Sequence, residues 1–148
     1  MAALMTDHSY EADCLFCKIA NHAITPAAAI FEDADTIAFL DIHPRSPGHT
    51  MVIPKHHAGK LADLPDAALA PLFSTVKRVA AMLEQALAPD GLTIGINQGE
   101  ASGQEVAHLH IHLMPRFSGD GGGAIQSLVN RPPTETIQAI AEKIRNAN

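Results

Sequence analysis

Every second residue from His108 through His110 to His112 is a histidine, and the other positions of residues 108–114 are apolar. Successive side chains of a strand point to opposite faces, so this spacing places the three imidazoles on one face. The apolar face belongs in a core. Three neighbouring imidazoles instead favour a metal site. The alternative interpretation is an exposed, histidine-rich strand without chemistry.

The distances along a strand limit what these histidines can share. Same-face neighbours lie about 6.5–7 Å apart, and the outer pair lies about 13 Å apart. Two adjacent histidines can bind one ion, but three from one straight strand cannot easily do so. A zinc site here needs ligands from elsewhere, which leaves His110 as the candidate for other chemistry.

The cysteines form a single Cys-x-x-Cys pair, Cys14 and Cys17. This pair is a weak indication of a metal site, because a closed zinc site takes four ligands and two thiols can equally be plain core residues. A disulfide between them is not expected in a reducing compartment.

The elements that must position these residues follow from the apolar periodicity and the turn residues. Steps of three and four predict a long helix over about residues 65–88, with Pro71 delaying its start or kinking it. Residues 14–21 can form one or two helical turns. Apolar runs predict five strands, at residues 28–33, 36–41, 49–54, 92–97 and 106–114. A C-terminal helix with Thr134 as N-cap is predicted from Ile137, Ile140, Ala141 and Ile144.

The order of these elements predicts an α+β domain with a mainly antiparallel five-stranded sheet, one long helix and one C-terminal helix. We expect residues 1–12 to be a flexible tail and residues 13–148 to form a single domain. The Gly-rich connection at residues 118–131 is long enough to be functional or mobile.

Composition limits the possible partners. The 148-residue chain has 10 Lys and Arg against 16 Asp and Glu, a net charge of −6. This charge argues against nucleic-acid binding, which usually leaves a basic footprint. No apolar stretch approaches the ~18 residues of a membrane span, so no membrane partner is expected. Residues 1–13 contain no Lys or Arg, unlike a signal or transit peptide, and a cytoplasmic location is expected.

The histidine segment resembles the histidine triad family of nucleotide hydrolases and transferases, whose motif is His-φ-His-φ-His-φ-φ with φ apolar. Residues 108–114 match this motif at every position, and the similarity extends over about residues 13–116. The chain is most similar to the Hint-like nucleotide-binding proteins of bacteria. The matching segments are Phe39-Leu40-Asp41-Ile42, residues 48–55, Asn97-Gln98-Gly99 and Gly103-Gln104-Glu105.

This resemblance implies a covalent mechanism. His110 is implied to attack the α-phosphorus of a nucleotide, forming a nucleotidyl-histidine from which water releases the nucleoside monophosphate. His112 is implied to contact the phosphate, and His49 to orient the triad. The implied nucleotide-binding residues, besides His110 and His112, are Phe39 and Ile42 at the base, Asp41 at the ribose hydroxyls, Asn97 at the ribose and phosphate, and Gly103, Gln104 and Glu105 at the phosphate.

Glu105 departs from the animal members of the family, which have a small hydroxyl residue there. A carboxylate at this position repels phosphate when it is ionised, and it acts as an acid only when its pKa is raised. The role of this position in protonating the leaving group is therefore open.

The resemblance also implies a structural zinc site made of Cys14, Cys17, His57 and His108. His56, the neighbour of His57, can substitute through a shift of one residue. Such a site ties the N-terminal segment to the histidine strand and withholds His108 from catalysis.

The implied activity is hydrolysis of purine nucleoside phosphoramidates or acyl-nucleotides. The alternatives are a dinucleoside polyphosphate hydrolase of the Fhit type and a non-catalytic nucleotide- or zinc-binding module. The resemblance further implies a homodimer in which the two sheets join and the long helix lies in the interface.

Overall fold

The computed structural model describes residues 8–147. Five strands form one antiparallel sheet in the order β1-β2-β3-β5-β4, which confirms the predicted α+β class. Short 3-10 turns lie at Leu61–Asp63, Glu100–Ser102 and Ile125–Ser127. The helices and strands are α1 (Leu15–Ala20), β1 (Ala29–Glu32), β2 (Thr36–Leu40), β3 (Thr50–Pro54), α2 (Asp66–Leu87), β4 (Gly91–Gly95), β5 (Ile111–Arg116) and α3 (Ile137–Arg145).

The two faces of the sheet bury different apolar clusters. Helix α2 covers one face, where Leu72, Val76, Val79 and Leu83 pack with Ala38, Val52, Leu109, Ile111 and Leu113. Helix α1 covers part of the other face, where Phe16 and Ile19 pack with Ile37, Phe39, Met51 and Ile53. The Phe16 ring of α1 stands edge-on to the rings of His108 and His110, with centroids 5.9 and 5.2 Å apart, so these two histidines lie on the α1 side. His112 points to the same side, because it alternates with Ile111 and Leu113 of β5, which pack under α2.

Helix α2 matches its predicted limits, but not every apolar residue at its steps of three and four is buried. It runs through Pro71, which leaves the carbonyl of Ala67 without a helical partner on an exposed turn. Phe73 and Leu87 fit the apolar periodicity but are 46% and 39% exposed.

Strand β5 begins and ends later than predicted. It starts at Ile111 rather than residue 106, and Pro115 lies inside it. Residues 106–110 leave the sheet, and the Leu109 amide donates to the Ala58 carbonyl at 2.7 Å. Pro115 is tolerated because β5 pairs with β3 only from Ile111 to Leu113, so its missing N–H falls beyond that ladder.

The chain ends also differ from the prediction. Helix α3 is capped by Thr136, whose hydroxyl accepts from the Ala139 amide at 3.2 Å, and not by Thr134. Residues 1–7 of the predicted tail lie outside the described residues. Within its remainder, the Ser9 hydroxyl donates to the His57 carbonyl at 3.2 Å, and the His57 amide donates to the Ser9 carbonyl at 2.8 Å. This part of the segment is therefore packed on the fold.

Among residues 8–147, no helix is both long enough and apolar enough to cross a membrane.

Candidate active site and metal centre

Two thiols and two imidazoles from three separate segments converge beneath helix α1. One ligand atom from each of Cys14, Cys17, His57 and His108 lies within 4.8 Å of the other three. Cys14 Sγ lies 3.4 Å from His108 Nδ1, and Cys17 Sγ lies 3.3 Å from His57 Nδ1. Zn–S bonds of about 2.3 Å and Zn–N bonds of about 2.0–2.1 Å imply tetrahedral S···N edges of about 3.6 Å. The observed separations suit such a site.

The surroundings of this cluster leave its ligand atoms free to bind a cation. His108 Nε2 donates to the Pro54 carbonyl at 2.8 Å, so the lone pair is on Nδ1, which points at the thiols. Burial lowers the pKa of His108 to about 4, so the ring is neutral. Burial also raises the pKa of the Cys17 thiol to about 11. The donor set fits zinc, and His56 is not part of it.

His110 is buried at 6% exposure and has a single defined tautomer. Its Nδ1 lies 2.7 Å from the His108 carbonyl oxygen, and a carbonyl only accepts, so Nδ1 carries the proton. The lone pair is therefore on Nε2. The Phe16 ring stands edge-on to the imidazole, with centroids 5.2 Å apart, and fixes its plane from the side of α1.

His49 and His112 form a hydrogen-bonded pair whose proton positions follow from the backbone. The Arg45 amide donates to His49 Nδ1 at 3.2 Å, so the His49 proton is on Nε2. His49 Nε2 lies 2.9 Å from His112 Nδ1 and donates to it. His112 therefore carries its own proton on Nε2, where it can donate to a bound anion.

The electrostatics keep this pair neutral. Burial and the neighbouring His110 and His49 lower the pKa of His112 to about 4. Burial is also the largest influence that lowers the pKa of His49, and the nearby Asp41 carboxylate opposes it. Two neutral imidazoles can form this hydrogen bond without the repulsion that two charged rings would have.

Gly48 permits the turn that brings His49 to this position. Its φ is +85°, a conformation that residues with a side chain rarely adopt, and a Cβ here would lie 2.3 Å from Leu87 Cδ1. The glycine therefore allows the end of helix α2 to pack directly under the loop before β3.

Asp41 lies beside the His49–His112 pair. Its Oδ2 is 3.7 Å from His49 Nε2, and its Oδ1 accepts from the His43 amide at 2.9 Å. Asp41 and His49 line a cavity of about 460 Å³ with the loop at residues 44–48. A carboxylate in this place can accept hydrogen bonds from a vicinal diol.

The other predicted nucleotide-binding residues lie in different surroundings. Phe39 is buried at 4% exposure in the cluster under α1, so in this structure it is a core residue, whereas Ile42 is 70% exposed. Asn97 lies two residues beyond the end of β4, whose last residue, Gly95, pairs with His112. Glu105 is exposed.

The loop of residues 99–104 is held by the Gln104 side chain. Its Nε2 donates to the carbonyls of Gly59 and Val106 at 2.8 and 3.1 Å, and its Oε1 accepts from the Gly99 amide at 2.8 Å. Both amide protons are therefore engaged, so in this conformation Gln104 holds the loop and does not donate to a phosphate. Gly103 ends the short turn with a φ of +91°.

Sequence reasoning missed the groups that orient the histidines. The Arg45 amide, the Pro54 carbonyl and the His108 carbonyl are backbone groups, and no residue type marks them. Phe16 lies between the two cysteines in the sequence, and its apolar character next to them is the one signal that could have placed it against the triad.

A family model described as the HIT domain matches residues 23–119. The chain belongs to the HIT family. An uncharacterized HIT-like protein of Methanocaldococcus jannaschii is 45% identical over 108 residues, which are 73% of this chain and 82% of that protein. An adenosine 5′-monophosphoramidase of Schizosaccharomyces pombe is 36% identical over 131 residues, which are 88% of this chain and 95% of that protein.

Solved structures share the fold. The match to the crystal structure of SMU.412c from Streptococcus mutans covers 99% of this chain and 94% of that protein's chain, with a TM-score of 0.83 and 37% identity. A zinc-bound histidine triad family protein from Mycobacterium smegmatis covers 92% of this chain and 98% of its own, with a TM-score of 0.68 and 34% identity.

Proposed function

We propose that this HIT protein hydrolyses purine nucleoside phosphoramidates, or related acyl-nucleotides, at the α-phosphorus and releases the nucleoside monophosphate. The observation that carries this proposal is the proton arrangement of the triad. His110 presents a lone pair on Nε2, while neighbouring His112 presents an N–H on its own Nε2. A nucleophile beside a hydrogen-bond donor suits attack on a phosphoryl group. The S. pombe relative is named as an adenosine 5′-monophosphoramidase, which is an activity of this kind.

In the first step, the His110 Nε2 lone pair attacks phosphorus and the P–N bond to the leaving amine breaks. The amine nitrogen takes the electron pair of that bond and a proton from solvent. The new imidazolium keeps its Nδ1 proton on the His108 carbonyl, which stabilises the positive charge. The His112 Nε2–H donates to the phosphoryl oxygen on which negative charge grows.

In the second step, water attacks phosphorus and the His110–phosphorus bond breaks. Its electron pair returns to Nε2, and the attacking water gives one proton back to solvent. The phosphorus keeps its ester bond to the nucleoside, so the released product is the nucleoside monophosphate, and every imidazole ends in its starting tautomer. The His49–His112 hydrogen bond need not change over the cycle.

Nucleotide recognition is assigned to the residues around the triad. Asp41 takes the ribose hydroxyls, since it lies in the cavity beside His49. Asn97 is assigned to the ribose and phosphate, and the backbone of Gly103 and Glu105 to the phosphate. Ile42, which is exposed and follows Asp41, is assigned to the purine base, because apolar contact accepts any purine.

Cys14, Cys17, His57 and His108 are assigned to a structural zinc ion. Bound zinc supplies a cross-link among three chain segments and takes no part in the proposed reaction. The His108 ring lies on this cluster while its carbonyl holds the His110 proton. The cluster therefore positions the nucleophile through the backbone. Thiol ligands also support the proposed cytoplasmic location, where cysteines stay reduced.

The proposal includes a homodimer. Phe73, Met82 and Leu87 of α2 are 46%, 37% and 39% exposed, and Ile94 on edge strand β4 is 41% exposed. Ile137 and Ile144 of α3 are 71% and 64% exposed. An open sheet edge and several exposed apolar side chains are best accounted for by a second copy of the chain.

Turnover of adenosine 5′-phosphoramidate tests the proposed function, with His110→Ala as the variant. We expect wild-type protein to release AMP and ammonia, and we expect the variant to bind AMP with its fold intact but to lose hydrolysis. Near-normal turnover by the variant would show that the nucleophile is misassigned. Hydrolysis of diadenosine polyphosphates alone would favour the Fhit-type alternative, and AMP binding without any turnover would favour a binding module.

A further inference from the structure

We propose that a cavity beside His112 is the leaving-group subsite and that Arg45 selects there for a leaving amine that carries a carboxylate, as an amino acid or peptide does. This inference rests on the proposed function and extends it to the class of substrate. The proposal is carried by the position of the cavity, its preformed wall and one unpaired cation.

The cavity continues the active-site face of the sheet. Met114 and Arg116 lie on the same face of β5 as His112, and Met114 follows His112 by about 7 Å along the strand. Together with Arg45, Ser46, Ile125 and Leu128 they line a cavity of about 220 Å³. A group attached to a phosphorus atom held at His112 is therefore close to this cavity.

Arg116 folds the Gly-rich segment into a preformed wall. Its guanidinium pairs with the Asp120 carboxylate through Nε at 2.6 Å and Nη2 at 3.0 Å. Its Nη1 donates to the Gly123 carbonyl at 2.8 Å and to Thr93 Oγ1 at 3.1 Å. A Cβ at Gly122 would lie 2.4 Å from Nη2, so a side chain there would displace the guanidinium from this position. The charge of Arg116 is thus already paired.

Arg45 supplies the free cation of this region. Within residues 8–147 its guanidinium has no hydrogen-bond or ion-pair partner. Its positive charge is near enough to His49 to help lower the pKa of that histidine. Arg45 and Ser46 line both this cavity and the larger one beside Asp41. They therefore stand between the assigned ribose site and the proposed subsite.

Ser46 offers a second polar group at the same place. Its Oγ is buried and has no hydrogen-bond partner among the described residues. A buried hydroxyl without a partner costs free energy, and rotation of the Ser46 side chain towards the cavity that this residue lines would let the hydroxyl bind a ligand oxygen.

The chemistry of the lining favours a carboxylate over a polyphosphate. Arg45 and Ser46 can bind one carboxylate group, and the side chains of Met114, Ile125 and Leu128 can contact an aliphatic chain. A polyphosphate leaves the apolar side chains without a partner and brings more negative charge than one free cation can balance. In the reaction the P–N bond breaks, the nitrogen takes the electron pair and a solvent proton, and the carboxylate is unchanged.

Two matched substrates test the inference: adenosine 5′-phosphoramidates N-linked to leucine and to leucinamide. The amide lacks only the negative charge. We expect wild-type protein to have a kcat/KM about tenfold higher for the leucine conjugate, the effect of one charge-assisted contact. Arg45→Gln should abolish this ratio, and Arg45→Lys should retain most of it. Lys77→Gln removes the same charge from the exposed side of α2 and should leave the ratio unchanged.

Three results would overturn the inference. Wild-type protein can hydrolyse both conjugates equally, Arg45→Gln can leave the ratio intact, or diadenosine tetraphosphate can be a better substrate than either conjugate. Unsubstituted adenosine 5′-phosphoramidate distinguishes failure of the subsite from failure of the proposed function. If the protein hydrolyses this compound but does not discriminate between the two conjugates, only the subsite is overturned. If the protein hydrolyses none of these substrates, both proposals are overturned.

Discussion

Three imidazoles of the site, those of His108, His110 and His49, are each held in one tautomer by a backbone group, and His49 in turn sets the tautomer of His112. The Pro54 carbonyl holds the proton of His108, the His108 carbonyl holds that of His110, and the Arg45 amide directs that of His49. A motif written in residue types specifies none of these groups. The motif therefore predicts which side chains react, and the fold decides which nitrogen of each one does so.

His112 should remain neutral well below the usual pKa of histidine. Its pKa falls from 6.5 to about 4 in the folded protein, through burial and the neighbouring His110 and His49. Between these values the unfolded chain binds a proton that the folded chain excludes. The free energy of unfolding should therefore rise with pH across this window, by at most about 3 kcal/mol from this group, and level off above it.

Ring resonances of His112 followed by NMR against pH check this expectation. A midpoint near 4 agrees with a neutral Nε2–H donor at the pH of the cell. A midpoint near 6.5 contradicts it. His112→Gln serves both to assign the resonance and to show that the pH dependence of unfolding weakens in the same window.

At the scale of elements, the sheet, the long helix and the cysteine–histidine cluster could be predicted from the sequence. Strand limits could not, because they depend on partners distant in sequence. Strand β5 starts at Ile111 because the Leu109 amide donates to the Ala58 carbonyl and residue 109 is not part of the β3 ladder. Pro115 is acceptable because that ladder has ended at Leu113. The N-cap of α3 is Thr136 and not Thr134, because the exposed segment before the helix has no regular structure that would fix where the helix begins.

The same limit applies to the site. Asp41, His49 and His112 lie close together, because Asp41 follows β2, His49 precedes β3 and His112 lies in β5, and these strands are neighbours in the sheet. Gln104 was predicted to reach a phosphate, but its amide holds the Gly59 and Val106 carbonyls. A polar side chain in a loop can bind either a ligand or its own loop, and residue type does not distinguish the two.

The metal cluster gives an element-scale prediction with a matched pair of variants. We expect one zinc per chain in protein purified without added metal, measured by elemental analysis. His57→Ala should lose the zinc and lower the thermal midpoint, because α1 is then no longer tied to the histidine segment. His56→Ala should keep the zinc, since His56 lies outside the cluster. Loss of zinc from His56→Ala alone would show that the neighbouring histidine is the ligand.

At the scale of the whole molecule, the exposed apolar side chains of α2, β4 and α3 predict a homodimer. Light scattering at micromolar concentration should give twice the 15.7 kDa mass of one chain. Ile94→Asp places a charge on the edge strand and should shift the protein towards monomer. Ile24→Asp alters a similarly exposed residue, 39% against 41%, away from β4 and should not. A wild-type mass of one chain contradicts the dimer.

The covalent intermediate tests the central claim most directly. Adenosine 5′-phosphoramidate is mixed with enzyme, the reaction is stopped within a single turnover, and the intact protein is weighed by mass spectrometry under conditions that preserve phosphorus–nitrogen bonds. We predict a mass increase of one adenylyl group per active chain, located on His110 by fragmentation and absent from His110→Ala. Turnover with the adenylyl group on another residue, or at a rate unchanged by His110→Ala, would contradict the account.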